Sequence, residues 1–529
     1  MTNLGARARR LTYLVHRWTG VAGCVLMALW FISGVVMLYV GYPKLTPWER
    51  LGALPALPAQ GCCVAPSALP PGGADTVLTS IRGEPHYVRT DARGVPRAYA
   101  AATGQPAGPV DGARAEAAAR AFAPESSVRD DGEVWEDRWT HSRGLDPHRP
   151  LRRVDLQGAE PGTLYVSSAT GQVVMDAPLA QQRWNYVGAW LHWLYLFRNQ
   201  PVDPVWTWTV IVLSAFCTLS AATGIVVGIW RWRFRGRYRS GSRSPYREGW
   251  MQWHHVVGLL FSGILFTWIF SGLMSMNPLD VFSPAHGRPN VVAYRDAGDG
   301  GRGGLPTPDG PGGSGHPGRC RADCAALQDP ARMLRTLQES GFRAVELQWR
   351  RVAGVPHVLA YDASAASRLV FDDGQGHPAI ARQWTPQQLM PAAARLFEAP
   401  IVARQVLDRY DDYYYQRQLE AMNGAQARGL PVLRLDFADA GGTRVYIDLR
   451  TGEIAASLDR SQRAGRWLFN FLHSWDMPAM LREVLLRDVA LIVLSLGGLV
   501  ISVTGVVIGW RRLRAWMARL SRDPAAARR

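Results

Sequence analysis

Four stretches of this chain carry no charged side chain. They lie between Arg17 and Lys44, from Val205 to Trp230, from Gly249 to Leu279, and from Val489 to Trp510. Each exceeds the roughly 20 residues with which an α-helix crosses a ~30 Å hydrocarbon core. Each is bounded by Trp, Tyr or Arg, the residues that anchor helices at an interface. The pattern predicts four transmembrane helices. The first is too long for a cleaved signal peptide and lacks a small-residue cleavage site. The long segments between the first and second spans, and between the third and fourth, contain alternating β-type runs closed by Gly turns.

Charge then gives an orientation. The 529 residues carry a formal net charge of +16, which in a soluble protein would suggest nucleic acid. The basic excess is local. Arg7, Arg9, Arg10 and Arg17 precede the first span. Seven Arg from Arg231 to Arg247 lie between the second and third, and seven from Arg511 to Arg529 follow the fourth. The rest of the chain is neutral. The positive-inside rule puts these three segments in the cytoplasm and the long loops on the other side. The excess faces lipid headgroups, with no nucleic acid implied. With 21 Trp the chain is not disordered, and six Cys are too few for a disulfide scaffold. Cys62, Cys63, Cys320 and Cys324 fall in the outer loops, where two disulfides with three possible connectivities, or incidental thiols, are open readings. Cys24 and Cys217 lie within spans and read as packing residues.

The chain also repeats itself. His16-x3-Gly20 leads to Phe31-Ile32-Ser33-Gly34, and His254-x3-Gly258 leads to Ile269-Phe270-Ser271-Gly272. Trp190-Leu191-His192 precedes the second span and Phe471-Leu472-His473 the fourth; in both, 32 residues separate the His from the Gly of Thr223-Gly224 or Thr504-Gly505. Pro85-His86 through Gly104 resembles Pro356-His357 through Gly374. Tyr165 to Val173 resembles Tyr446 to Ile454. Gly298 to Gly318 is a Gly/Pro-rich insertion in the second half.

Five of the twelve His lie in or beside the spans, and His16, His192, His254 and His473 occupy duplicated positions. One such His would read as an interfacial cap; four matched ones read as ligands. A helix over those 32 residues would be about 48 Å long, more than a membrane is thick. Pro201, Pro204 and Pro478 must therefore break it, leaving His192 and His473 on short helices. A two-fold axis along the membrane normal pairs His16 with His254 and His192 with His473. Two-nitrogen sets suit haem iron, whose equatorial positions are filled, better than zinc, which takes three or four protein ligands. Gly20 and Gly23, with Gly258 and Ser262, lie on the His faces and either leave room for a macrocycle or let helices pack. His255 stands beside His254 and is the alternative ligand there.

The Tyr446 to Ile454 element, the Asp411-Asp412-Tyr413-Tyr414-Tyr415 run, Leu430-Pro431-Val432 and the His-x3-Gly helix starts resemble the PepSY-associated transmembrane family. Members include inner-membrane reductases that release iron from ferric siderophores. The resemblance implies an α-helical membrane protein of two pseudo-symmetric halves with four transmembrane helices, plus two periplasmic α+β PepSY-like domains. Its expected divisions are 1–42 (cytoplasmic tail and first span), 43–183 (first outer domain), 184–230 (interfacial helix and second span) and 231–248 (Arg-rich loop). They continue with 249–279 (third span), 280–465 (second outer domain), 466–510 (interfacial helix and fourth span) and 511–529 (cytoplasmic tail). It further implies two haem b groups on His16, His192, His254 and His473. The first half departs from the family pattern: Tyr165 to Gly171 lacks the Asp, and Trp135 to Trp139 stands where the Tyr run would be. Tyr413, Tyr414, Tyr415, Trp135 and Trp139 either face an outer substrate or pack the sheets. The expected activity is that of a bacterial inner-membrane, di-haem oxidoreductase. It would pass electrons from a separate cytoplasmic reductase or quinol to a periplasmic ferric siderophore or chelate. Electron delivery to another periplasmic acceptor, or a binding or inhibitory module without redox activity, are the alternatives.

Overall fold

The computed structural model describes residues 3–73, 75–91, 93–198, 203–247, 249–285, 287–296, 324–418 and 428–522. The Gly298–Gly318 insertion, Cys320 and Pro201 lie outside them. The chain divides into two compact units. A helical unit holds 1–41, 183–283 and 462–529, and a sheet unit holds 42–182 and 284–461.

The element order begins α1 (Asn3–Tyr39), α2 (Pro47–Gly52), β1 (Thr76–Ile81), β2 (Glu84–Thr90), β3 (Pro96–Ala100), α3 (Gly112–Phe122), β4 (Ser127–Val134), β5 (Leu151–Gln157), β6 (Gly162–Ser167), β7 (Val173–Pro178), α4 (Leu179–Val187), α5 (Ala189–His192), α6 (Pro204–Arg231) and α7 (Trp250–Ser275). It continues α8 (Val291–Arg295), α9 (Pro330–Glu339), β8 (Ala344–Val352), β9 (Val355–Asp362), β10 (Ser367–Asp372), β11 (Pro378–Ala381), α10 (Pro386–Ala393), β12 (Ile401–Leu407), β13 (Val432–Phe437), β14 (Arg444–Asp448), β15 (Ile454–Leu458), α11 (Arg460–Gly465), α12 (Leu472–Ser474), α13 (Pro478–Arg482) and α14 (Val484–Arg522).

In the helical unit α1, α6, α7 and α14 are long and apolar enough to cross a membrane. α1 packs against α6 and α14, and α7 packs against the same two, so α1 and α7 lie on one diagonal of a four-helix bundle. Small residues set the close approaches. A Cβ on Gly23 would lie 3.0 Å from Cys217 Sγ, and one on Gly498 would lie 2.3 Å from the Phe31 ring. The short His-bearing helices are cut off from the long ones. Leu194 and Trp475 take left-handed backbone just after α5 and α12. Asp203 caps α6 by accepting the Trp206 N–H, with Pro204 at its first position. Pro478 opens α13. Cys24 and Cys217 are buried free thiols inside the bundle.

The sheet unit holds three antiparallel sheets. One has seven strands in the order β11-β10-β9-β8-β1-β2-β3; the others are β4-β5-β6-β7 and β12-β13-β14-β15. The two outer segments meet where β1 pairs with β8, with Thr76 opposite Trp349, Val77 opposite Gln348 and Leu78 opposite Leu347. The sequence divisions separate those segments; this pairing joins them in one unit. Leu78, Tyr87, Leu347 and Val358 on one face of the sheet are buried with Met333, Leu334 and Leu337 of α9. α3 covers β5 and β6 with Ala115, Ala118 and Ala119, and α10 lays Leu389 and Ala392 among the side chains of β13 and β14. Cys62 and Cys63 pair with each other, and Cys324 is also disulfide-bonded.

Candidate functional site

His16 lies in α1 and His254 in α7, on opposite corners of the bundle. The Nδ1 of His16 is 3.1 Å from the Ser220 carbonyl of α6. The Nδ1 of His254 is 3.1 Å from the Ile501 carbonyl and 3.0 Å from Thr504 Oγ1, both on α14. The two ring centroids are 6.4 Å apart, with the planes inclined by 31°. The second pair repeats this. His192 of α5 holds Ser33 Oγ of α1 at 2.9 Å, and His473 of α12 holds Ser271 Oγ of α7 at 3.0 Å. Their ring centroids are 6.0 Å apart.

Donor and acceptor roles follow from the partners. A carbonyl only accepts, so Nδ1 of His16 and His254 carries the hydrogen. Ser33 Oγ donates its one hydrogen to the Leu29 carbonyl, at 2.7 Å, and Ser271 Oγ donates to the Trp268 carbonyl, at 3.0 Å. Each hydroxyl must then accept from its histidine. All four imidazoles are therefore Nδ1–H tautomers with the lone pair on Nε2. Fixing one ring nitrogen by a hydrogen bond is how a protein presents the other to a metal.

Four glycines complete the pattern. A Cβ on Gly224 would meet His16 Cε1 at 2.8 Å, and one on Gly505 would meet His254 Cε1 at 3.6 Å. Gly34 stands to His192, and Gly272 to His473, at 3.7 Å each. Each ring edge thus lies against a helix with no side chain in the way. The sequence contains these residues as Ser33-Gly34, Ser271-Gly272, Thr223-Gly224 and Thr504-Gly505, but their repetition alone does not say what they touch. Of the two readings given above for Gly20 and Gly23, their surroundings match close helix packing. A Cβ on Gly20 would lie 3.7 Å from Ser220 Oγ and one on Gly23 3.0 Å from Cys217 Sγ, so both serve the α1–α6 contact; one on Gly258 would meet nothing within 4 Å.

His255 is resolved from its neighbour. Its Nδ1 lies 2.8 Å from Ser244 Oγ and its Nε2 lies 3.0 Å from the Gly228 carbonyl, and Trp232 and Tyr246 pack on its ring. Both nitrogens are engaged by protein, so of the two adjacent histidines His254 is the one presented across the bundle.

A family model described as PepSY-associated TM region matches residues 13–322, more than half of the chain. The chain belongs to this family. Comparison with curated proteins found no match.

The PepSY-associated chain can be tested for fit to a metal group. With Nδ1 engaged and ring centroids 6.4 and 6.0 Å apart, the two imidazoles of each pair could share one ion through Nε2. Among the described residues no three His, Cys, Asp or Glu converge, so each site offers two nitrogens, the donor set of an ion already held by a macrocycle. The residues fit haem iron.

The aromatic candidates are mostly structural. Tyr414 is fully buried, stacks on Tyr446 with centroids 5.1 Å apart, and donates to the Gly429 carbonyl. Trp139 is buried beside Tyr42. Tyr413 is half-buried under Arg444, Tyr415 is half-buried, and Trp135 is 69% exposed. The runs differ in sequence but share an anchor. Asp137 accepts from Tyr165 Oη at 2.6 Å and from the Trp139 N–H; Asp411 accepts from Tyr446 Oη at 2.8 Å and from the Tyr413 N–H. That common aspartate turn explains why Trp139 and Tyr413 replace one another.

Proposed function

We propose that this protein is a di-haem oxidoreductase of the bacterial inner membrane. It takes electrons from a cytoplasmic reductase or a quinol and gives them to a periplasmic ferric siderophore or chelate. The observation that carries this reading is the pair of facing imidazole sets, 6.4 Å and 6.0 Å between centroids, each ring tied through Nδ1. His16 and Ser33 are 17 residues apart on one helix, so the two sets lie roughly 25 Å apart along the bundle, near opposite membrane faces. Repeated contacts in both units support two pseudo-symmetric halves, each with a PepSY-like outer domain. The Arg-rich segments support cytoplasmic termini.

Bound between these pairs, haem b would supply a one-electron Fe(III)/Fe(II) couple. The chain's own residues do the rest. The Ser220 and Ile501 carbonyls and the Ser33 and Ser271 hydroxyls hold the Nδ1 protons in place, which fixes the ring orientation and raises the donor strength of Nε2. The apolar helices exclude water.

The test is a reduced-minus-oxidised spectrum with haem stoichiometry on purified protein. Two haem b per chain are expected, falling to one in His192→Ala or His254→Ala and staying at two in His255→Ala. Unchanged spectra in the first two variants would sink the reading. Reoxidation of the reduced protein by a ferric chelate tests the acceptor separately.

A further inference from the structure

The sheet unit contains one feature in duplicate frame but not in duplicate content. In the second half, the β8–β9 hairpin turns at Ala353-Gly354, both with positive φ, and the β14–β15 turn carries Gly452. These two turns and α10 enclose Tyr294 of α8, which is 1% exposed. Its hydroxyl donates to the Gly452 carbonyl at 2.7 Å. The Ala353 N–H donates to the Tyr294 carbonyl at 3.1 Å, and the Gly354 N–H to the Arg295 carbonyl at 2.9 Å. A two-residue turn with both φ positive points its N–H groups away from the hairpin, and α8 supplies their acceptors.

The first half has the same frame. The β1–β2 hairpin turns at Arg82-Gly83, again with both φ positive, and the β6–β7 turn carries Gly171. α3 stands where α10 stands. Here the three elements are not filled. Ile81 to Gly83, Gly171 to Val173, and Ala118, Ala121 and Phe122 line a small solvent-open cleft of about 40 Å³. Arg50 and Leu54 of the α2 segment form its remaining wall. Arg50 is held there by a two-pronged ion pair with the buried Glu346, so this wall is fixed beside the cleft. Among the described residues, the Arg82 and Gly83 N–H groups and the Gly171 carbonyl have no hydrogen-bond partner. Val110, ahead of α3, stands beside Gly171 where the bulkier Trp384, ahead of α10, stands beside Gly452.

We infer that this cleft is a binding site for a short helical turn of a partner protein that ends in Tyr followed by one further residue. The occupant is defined by α8, the segment that fills the matching place. The Tyr carbonyl and the next carbonyl accept from Arg82 and Gly83, the phenol donates to Gly171, and the ring lies on Ala118 and Phe122. Backbone acceptors give the affinity and the aromatic pocket gives the selectivity. The inference stands independently of the haem reading.

The experiment uses full-length protein in detergent and a fluorescent, end-blocked peptide Asn-Val-Val-Ala-Tyr-Arg, the sequence of residues 290–295. Anisotropy should show saturable binding of one peptide per chain below about 1 mM. A Tyr-to-Ala peptide should bind at least about tenfold more weakly, the cost of an unfilled aromatic pocket. Ala121 is exposed at the rim, so Ala121→Trp fills the cleft without disturbing the core and should abolish binding with both haem signals unchanged. Absence of saturation with the original protein overturns the proposal. So does equal binding to Ala121→Trp, which would mean that the peptide displaces α8 or adheres elsewhere.

Discussion

In the helical unit, His16 and His254 each lie 3.1 Å from a main-chain carbonyl, and His192 and His473 lie 2.9 and 3.0 Å from a serine hydroxyl. In the sheet unit the repeated positions keep their backbone and change their side chains. Val110 answers Trp384, Trp139 answers Tyr413, and an open cleft answers Tyr294. The difference follows from what each unit holds together. On the proposed di-haem reading, a ligand bound from two sides would demand the same distance and tautomer from both pairs, so neither could drift alone. A sheet needs only its register, its turns and a filled interior, and many side chains satisfy those.

The comparison can be broken most severely at the glycines. Gly224→Val drives a side chain into His16 and should remove one of the two haem signals, while Gly263→Val, on the exposed side of α7 away from His254, meets nothing within 4 Å and should keep both. Loss of signal in both, read by the same difference spectrum, would show that bulk anywhere in the bundle is disruptive. The next effect concerns a place where the helical unit itself departs from repetition. Arg466 and Asp476 form an ion pair 5% and 1% exposed, whereas the matching position of the first half is Asn185, which donates to the Gly41 carbonyl at 2.9 Å. Arg466→Ala strands a buried carboxylate and should cost about 3–5 kcal/mol. Asn185→Ala should cost about 1 kcal/mol. Denaturant midpoints in detergent distinguish them, and equal losses would contradict the asymmetry.

The sheet unit supplies a pH test. Burial, followed by the nearby Glu49, raises the Asp176 carboxyl from its ordinary 3.8 to about 7. The folded protein therefore holds this proton more tightly than the unfolded chain does. The stability it contributes is full below about pH 4 and is lost as pH rises through 7, amounting to about 2–4 kcal/mol by pH 8. Asp176→Asn should flatten that slope. Ser457 stands at the matching place in the second sheet, paired with Val445 as Asp176 is with Leu164, and Ser457→Ala should leave the slope intact. The smallest expected difference is between Tyr165→Phe and Tyr446→Phe. Each removes a hydrogen bond to the anchoring aspartate and should cost about 1–3 kcal/mol. A gap of more than about 2 kcal/mol between the two would mean that the shared turn is not equally used.

Much of this was legible in the chain. The spans follow from apolar length, and the four ligand candidates from repetition, because both signals are local. The β-runs around Tyr165 and Tyr446 fall where their alternation and Gly turns put them. The orienting partners were not legible. Periodicity puts Gly20 and Gly23 on the face of His16 but does not say that α6 covers that face. Nor does it say that Ser220, on another helix, accepts from the ring. His254 and His255 differ only in which side of α7 they occupy, which a repeat cannot decide when Arg17 replaces the second His. The β1–β8 pairing joins strands far apart in sequence and has no local signature.

That pairing has a consequence for ancestry. Thr76 opposite Trp349 and Leu78 opposite Leu347 flank Val77–Gln348 as the two sides of a single rotation axis. A chain of half this length would satisfy the same edge by meeting a second copy of itself, β1 to β1, in an isologous homodimer. Two identical chains would also bring their own histidines into facing pairs. Joining two such chains into one would keep that edge pairing while leaving each outer surface to change on its own.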